Sequence, residues 1–142
     1  MARIKIDLPD NFSLTCEIPV RITDLNYGGH AGNDAILSII HEARMQYLNN
    51  LGYTEMRFAG TGMIMADVAM EFKGELFYGD RVIASVTAGA ISKIGFDLYY
   101  KLEKETDGKK LPVAFAKTGM ICYDYDRKKI VAVPEEARER ME

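Results

Sequence analysis

One long amphipathic stretch, Asn33 to Leu51, constrains this chain more than any other feature, because the segments on both sides of it read as strands. Within it Ile36, Ile39, Ile40, Ala43, Tyr47 and Leu51 recur three or four residues apart, which lines them up on one side of a helix. The ends carry chemical signals too. Asn33 is expected as the N-cap, Asp34 complements the positive end of the helix dipole, and Asn50 with Gly52 supplies the stop. A lone helix with one apolar stripe must bury that stripe against something else in the chain.

The partner is legible as a sheet. Phe12 to Ile22 reads as a strand interrupted by Pro19, and Arg3 to Leu8 as a shorter one with Ile4 and Ile6 alternating; both are expected near a sheet edge. Downstream, Met63 to Phe72, Arg81 to Ala90, Ile94 to Glu103, Val113 to Tyr123 and Lys129 to Val133 are rich in β-branched and aromatic residues. Turn signals separate them at Tyr78-Gly79-Asp80, Gly89 to Lys93, Thr106-Asp107-Gly108-Lys109 and Asp124 to Arg127, and such short intervals imply antiparallel hairpins. Pro134 followed by Glu135 and Glu136 fits the first turn of a short, peripheral terminal helix ending at Met141.

These elements predict one two-layer α+β domain over residues 1–142, an antiparallel sheet of five or six strands burying the stripe of one long helix, and a sheet wrapped around that central helix is one solution. The length suits a single core, and no repeat or composition break suggests a second domain. One helix covers one face of a sheet and leaves strand edges open, so self-association is expected. A net charge of −3 presents no broad basic face, which argues against nucleic acid. Cys16 and Cys122 lie in apolar runs without metal-ligand spacing and are expected as buried thiols, with no metal site. Residues 1–10 lack the apolar run of a signal peptide and no segment approaches bilayer-spanning length, so a cytoplasmic protein without membrane contact is expected.

The densest polar cluster lies immediately before the long helix: Asp24-Leu25-Asn26-Tyr27-Gly28-Gly29-His30-Ala31-Gly32-Asn33. Its glycines permit backbone conformations closed to other residues and let a ligand approach the main chain. A flexible connector would have the glycines and asparagines, but it has no need of Asp, Asn and His this close to the free N–H groups of a helix start, which form an anion site. In acyl transfer a carbonyl oxygen gains negative charge, and such a helix start can stabilise it. The phosphate-binding patterns GxxxxGK[ST] and GxGxxG are both absent.

This segment, followed by Glu42-Ala43-Arg44, resembles the patterns D-x-D-x-x-G-H-V-N-N and E-x-A-R of hot-dog-fold acyl-CoA thioesterases of the 4-hydroxybenzoyl-CoA type. The likeness continues through Phe72 to Asp80, similar to that family's aromatic strand and Tyr-Gly-Asp turn, and ends near Pro134. It implies a hot-dog fold and hydrolysis of an acyl-CoA or acyl-carrier-protein thioester by a homodimer or homotetramer. Coenzyme A would then enter only as part of the substrate, with no other cofactor. The family's second aspartate, a nucleophile or general base in some members, falls at Asn26 in this chain. A neutral amide positions water but takes no proton from it.

Asp24, Asn26 and His30 are the expected catalytic residues. His30 is chemically suited to serve as base, since imidazole changes charge near neutral pH, and is equally suited to shape the turn through a backbone bond; Asp24 either fixes its tautomer or anchors that turn. Tyr27, Gly28, Gly29, Asn33 and Asp34 are expected to line the substrate site, with Asn33 and Asp34 also serving the helix end. His41 lies about 12 Å along the helix from its cap at ~1.5 Å per residue, and Glu42 follows it, so both are expected in structural or subunit contacts. Met63, Met65, Met70, Phe72 and Met120 read as core or as an acyl-chain wall. Asp67 points outward or toward a partner subunit, while Lys73, Lys93 and Lys117 are surface charges or CoA-phosphate contacts. A non-hydrolytic acyl-CoA or acyl-carrier binding protein is the alternative function, and a hot-dog dehydratase matches the segment less well.

Overall fold

A computed structural model describes all residues, Met1–Glu142. Strand β1 (Leu14–Pro19) leads through a short 3-10 turn (Ile22–Asp24) into helix α1 (Asn33–Asn50), and strands β2 (Gly62–Phe72), β3 (Arg81–Gly89), β4 (Gly95–Thr106), β5 (Lys109–Asp124) and β6 (Lys129–Ile130) follow before helix α2 (Glu135–Met141). All pairings are antiparallel and the sheet runs β1-β3-β4-β5-β2, with β6 added to the end of β5. This is the α+β hot-dog arrangement expected from the sequence, with six strands about one long helix.

The helix forms because its periodicity is satisfied on one side. Ile36, Ile39, Ile40, Ala43 and Tyr47 are all buried, and Ile40, Ala43 and Leu48 lose all contact with solvent. Opposite them the strands alternate: Phe96, Leu98, Tyr100 and Leu102 of β4, and Ala114, Ala116 and Met120 of β5, point into the core. Large and small residues interleave across the register, Ala84 facing Leu102 and Ala116 facing Tyr100. Each fully buried aliphatic side chain contributes about 1.5–3 kcal/mol. One charge enters this interface: Arg44 is buried, its Nη1 donating to the Tyr100 hydroxyl at 3.4 Å and its Nε 3.7 Å from a Glu55 carboxylate oxygen. The Tyr100 hydroxyl is also 2.7 Å from Thr118 Oγ1, and burial raises its pKa, so the phenol stays neutral.

The turn chemistry follows the sequence. Between β4 and β5, Asp107 and Gly108 both take positive φ, as a two-residue I′ hairpin requires. Pro112 sits inside β5 where the register slips opposite Leu102 and Glu103, so the ladder loses no donor at a regular position. α1 stops at Asn50, and Gly52 beyond it takes φ +87°.

Three expectations are corrected. Arg3 to Leu8 forms no strand: its Ile6 N–H is captured by the Glu71 carboxylate at 3.2 Å, and no hairpin turn delivers the segment to an edge in register. That bond, followed by Lys73, holds the Glu71 carboxyl below its usual pKa. The cap of α1 is Gly32 rather than Asn33, because Asn33 already has helical pairing. Finally, α2 is docked, not peripheral. Ala137 and Met141 are buried, Arg140 Nη1 donates to Leu51 O at 2.7 Å, and Arg138 Nη2 donates to Ser92 O at 2.6 Å. Ala137 and Met141, apolar residues four apart, are the signal of that docked face.

Because Ile40 lies at the middle of the helix–sheet contact with no exposed surface, Ile40→Ala is expected to cost about 3 kcal/mol in denaturant-unfolding free energy, chiefly through the cavity it opens.

Candidate functional site

The Gly-rich segment folds into a tight double turn that ends on the first turn of α1. Leu25 and Ala31 form an isolated antiparallel bridge, Asn26 N–H donates to His30 O at 2.9 Å, and Gly29 N–H closes back on Asn26 O at 3.1 Å. Gly29 takes φ +81°, which a side chain would resist. The Asn26 side chain stabilises the same turn, its Oδ1 accepting the Gly28 N–H at 2.9 Å.

Asp24 is buried, but its carboxylate does not reach His30. Its Oδ2 accepts the Arg21 N–H at 2.8 Å and its Oδ1 lies 3.3 Å from the Arg21 guanidinium, while its own carbonyl accepts Gly32 N–H at 3.2 Å. Of the two roles weighed for Asp24, this geometry is the anchor of the turn. His30 is half-buried with Nδ1 3.2 Å from Ala31 O. A carbonyl only accepts, so Nδ1 is the donor in this contact. Tyr27 stands fully in solvent.

The helix start is unusually open. Its cap is a glycine, which offers no side-chain acceptor, and the N–H groups of Asn33, Asp34 and Ala35 find no hydrogen-bond partner. Asn33 and Asp34 are exposed at this end. The space beside Gly32 is where side chains converge: a methyl placed there would lie 2.6 Å from Asp34 Oδ1 and 3.7 Å from Asn26 Nδ2. A methyl on Gly28, by contrast, would meet Asn26 Oδ1 at 3.2 Å and His30 Nε2 at 3.4 Å. The Asn26 side chain thus borders both the space beside Gly28, which His30 Nε2 also borders, and the space beside Gly32, which Asp34 Oδ1 also borders.

The segment is held from behind by residues 73–80, which the sequence reading did not connect to it. Ala31 N–H donates to Leu76 O at 2.8 Å, and the Leu76 side chain is buried. Lys104 of β4 fixes that segment, its Nζ donating to Glu75 O at 2.7 Å and lying 3.4 Å from Asp80 Oδ2. Asp80 in turn accepts the Phe77 N–H at 2.9 Å and, through its carbonyl, the Val20 N–H at 2.9 Å. Residues about 50 apart in sequence meet here, so no local signal could have revealed the brace.

The remaining candidates fall elsewhere. His41 Nε2 is 2.7 Å from Glu55 Oε1, and Glu42 accepts from Gln46. A cleft of about 390 Å³ runs along the flank between α1 and β1, with Glu17, Arg21, His41, Glu42 and Met45 on its walls. Cys16 is partly buried and unpaired; burial, then the nearby Glu42, pushes its thiol pKa up, while Cys122 is buried in the core. Met63 and Met120 are core residues, whereas Met65 and Phe72 remain exposed. Asp67 bonds Lys117 at 2.9 Å on the outer face of the sheet, and Lys117 also lies 3.5 Å from Asp97. The Lys117 ammonium lowers the Asp67 pKa. Lys73 pairs with Glu71 at 3.0 Å. No group of three or more His, Cys, Asp or Glu side chains gathers as a metal site would require. No helix is long and apolar enough to cross a membrane.

A helix wrapped by an antiparallel sheet, with a Gly-rich turn feeding an uncapped helix start, defines a hot-dog protein of the thioesterase class. Residues 20–141 match the family model of the thioesterase-like superfamily, and the chain belongs to that family. No curated protein matches it. Among solved structures it is similar to 4-hydroxybenzoyl-CoA thioesterase from Pseudomonas sp. strain CBS-3, with 17% identity over 92% of this chain and 99% of that one and a TM-score of 0.80. A 1,4-dihydroxy-2-naphthoyl-CoA thioesterase from Synechocystis is 18% identical over 89% and 93% of the two chains, with a TM-score of 0.79. An aspartate-to-asparagine variant of 4-hydroxybenzoyl-CoA thioesterase in complex with 4-hydroxybenzoyl-CoA is 16% identical over 91% and 98%, with a TM-score of 0.83.

The Lys104 brace makes a specific prediction. Lys104→Met keeps the aliphatic stem but removes the ammonium, so the Ala31 amide is expected to exchange with solvent about tenfold faster, read by amide hydrogen exchange, while core amides such as that of Leu98 stay as protected as before.

Proposed function

We propose that this protein hydrolyses the thioester of an acyl-CoA or acyl-carrier protein, releasing the free acid and the thiol. The observation that carries this reading is the glycine-capped start of α1, where three N–H groups lack partners beside the Asn26 side chain. A thioester carbonyl oxygen placed there accepts from those N–H groups, which favour the negative charge that develops as water adds. Asn26 and His30 border the position of that water, Asp24 fixes the turn that presents them, and Tyr27, Gly28 and Gly29 line the approach. Asn33 and Asp34 supply the helix end itself. Coenzyme A belongs to the substrate, and hydrolysis of a thioester calls for no further cofactor.

The amide at Asn26 does not argue against substrate binding, since a relative in which an aspartate has become asparagine still holds its acyl-CoA. A panel of acyl-CoA thioesters from short aliphatic to aromatic, followed by release of free thiol, tests the reading. Turnover well above the buffer rate is expected for at least one acyl group, and an Asn26→Ala variant is expected to lose about tenfold or more of it. Binding without turnover across the panel would instead select the non-hydrolytic acyl-CoA binding protein.

Self-association is part of the same proposal, as a dimer or a tetramer. The two free edges of the sheet differ: β1 is short and ends on Pro19, whereas β2 is eleven residues long, has no proline, and exposes Met65 and Val68. A long unpaired edge of this kind is suited to a second copy. The parent protein is expected to sediment as a dimer or larger, and a Met65→Lys/Val68→Lys variant as a monomer; a monomeric parent would refute self-association.

A further inference from the structure

We propose that the hollow between the N-terminal segment and the end of β2 seats the 3′-phosphorylated ADP of coenzyme A, so that the substrate is an acyl-CoA and not an acyl-carrier protein. The inference rests on the thioesterase reading above and names the carrier of the acyl group.

The hollow has a volume of about 560 Å³, inside the roughly 300–1,000 Å³ of small-molecule sites. Although residues 3–8 form no strand, the Ile6 N–H bond to Glu71 Oε1 at 3.2 Å ties the segment to β2 and leaves the hollow beside it. Ile4, Phe72 and Pro112 supply its apolar wall. Ile4 is 59% exposed and Phe72 49%, and apolar side chains left open beside charges mark a contact site. Arg3, Ile4 and Lys5 all precede residues 20–141, so the seat draws on side chains outside the family match.

Charge selects the occupant. Arg3 and Lys73 line the hollow, and Glu71 is the one acid on its wall. Both Glu71 oxygens are engaged, Oε1 by the Ile6 N–H and Oε2 by Lys73 Nζ at 3.0 Å. Those two bonds, and after them the nearby Lys5 charge, hold the Glu71 carboxyl below its usual pKa. Arg3 and Lys5 have no carboxylate partner of their own. Three cations thus meet one satisfied carboxylate beside an apolar wall. A purine nucleotide bearing a diphosphate and a 3′-phosphate fits that chemistry, with the base on Ile4 and Phe72 and the phosphates on Arg3, Lys5 and Lys73.

Position links the hollow to the Gly-rich turn. Leu76 follows Lys73 by three residues, at most ~11 Å of chain, and its carbonyl accepts the Ala31 N–H at 2.8 Å. The uncharged pantetheine arm of coenzyme A spans that interval, so one molecule reaches both places. An acyl-carrier protein presents the same arm from its own surface and has no nucleotide to set against Arg3 and Lys5. The cleft beside α1 suits phosphates less, because Glu17 and Glu42 line it and its Arg21 pairs with Asp24. Lys117 is already held between Asp67 and Asp97.

The test uses the full chain and calorimetric binding of coenzyme A and of pantetheine. Coenzyme A is expected to bind at least about tenfold more tightly, with an advantage that shrinks as salt is added. An Arg3→Gln/Lys5→Gln variant, altered only at exposed positions, is expected to unfold at the parent's temperature and to lose about tenfold in affinity for coenzyme A, with pantetheine binding kept within about twofold. In turnover, kcat/KM is expected to fall by a similar factor for an acyl-CoA and to hold for the matching acyl-pantetheine. Equal binding of coenzyme A and pantetheine, or a double variant that binds coenzyme A as the parent does, overturns this assignment and leaves the thioesterase reading to its own assay. A parent that binds coenzyme A through Arg3 and Lys5 but hydrolyses no acyl-CoA keeps the nucleotide seat and removes the hydrolysis.

Discussion

The burial of one helical stripe against a curved antiparallel sheet is the constraint on which everything else in this protein depends. Ile36, Ile39, Ile40, Ala43 and Tyr47 leave water only because β3, β4 and β5 present an alternating apolar face of matching width. Once α1 is laid into that face its N-terminus has one available position, beside the carbonyl of Leu76 and under the Gly-rich turn. The site is therefore an end-effect of the core. The same contact also fixes what the core must tolerate, including the buried Arg44, which is acceptable only because Tyr100 and Glu55 meet its guanidinium.

Local stability and reactivity pull against each other at the helix start. A serine or aspartate cap would satisfy first-turn N–H groups and stabilise the helix by about 1 kcal/mol, yet it would fill the donors that a carbonyl oxygen needs. Gly32 gives up that capping bond and leaves the donors free. The compensation comes from outside the helix: Asp24 ties down the preceding turn through Arg21, and the Lys104–Asp80 brace ties down the segment that receives Ala31. The open helix start is thus held rigid by bonds made one layer behind it.

The outer face of the sheet is organised differently. Asp67, Lys117 and Asp97 form a charge row there, with Gly119 N–H donating to Asp67 at 2.9 Å where the β2 register slips. Such exposed pairs add little stability, but a charged row keeps this part of the face polar.

The sequence by itself determined the helix, its stripe, the five strands that follow it, their turns and the general place of the site, because each of these is written in spacings of two to four residues or in local Gly, Asn and Pro chemistry. Even the departure at Asn26 was visible, since it is a residue identity. Only the tertiary structure decided which residue caps α1, that Arg3 to Leu8 stays unpaired, that α2 docks, and that Asp24 serves Arg21 instead of His30. It alone brought Leu76 and Lys104 behind the Gly-rich turn. These are outcomes of competition among donors and acceptors far apart in the chain, and such competition is settled by distances that one-dimensional spacing does not carry.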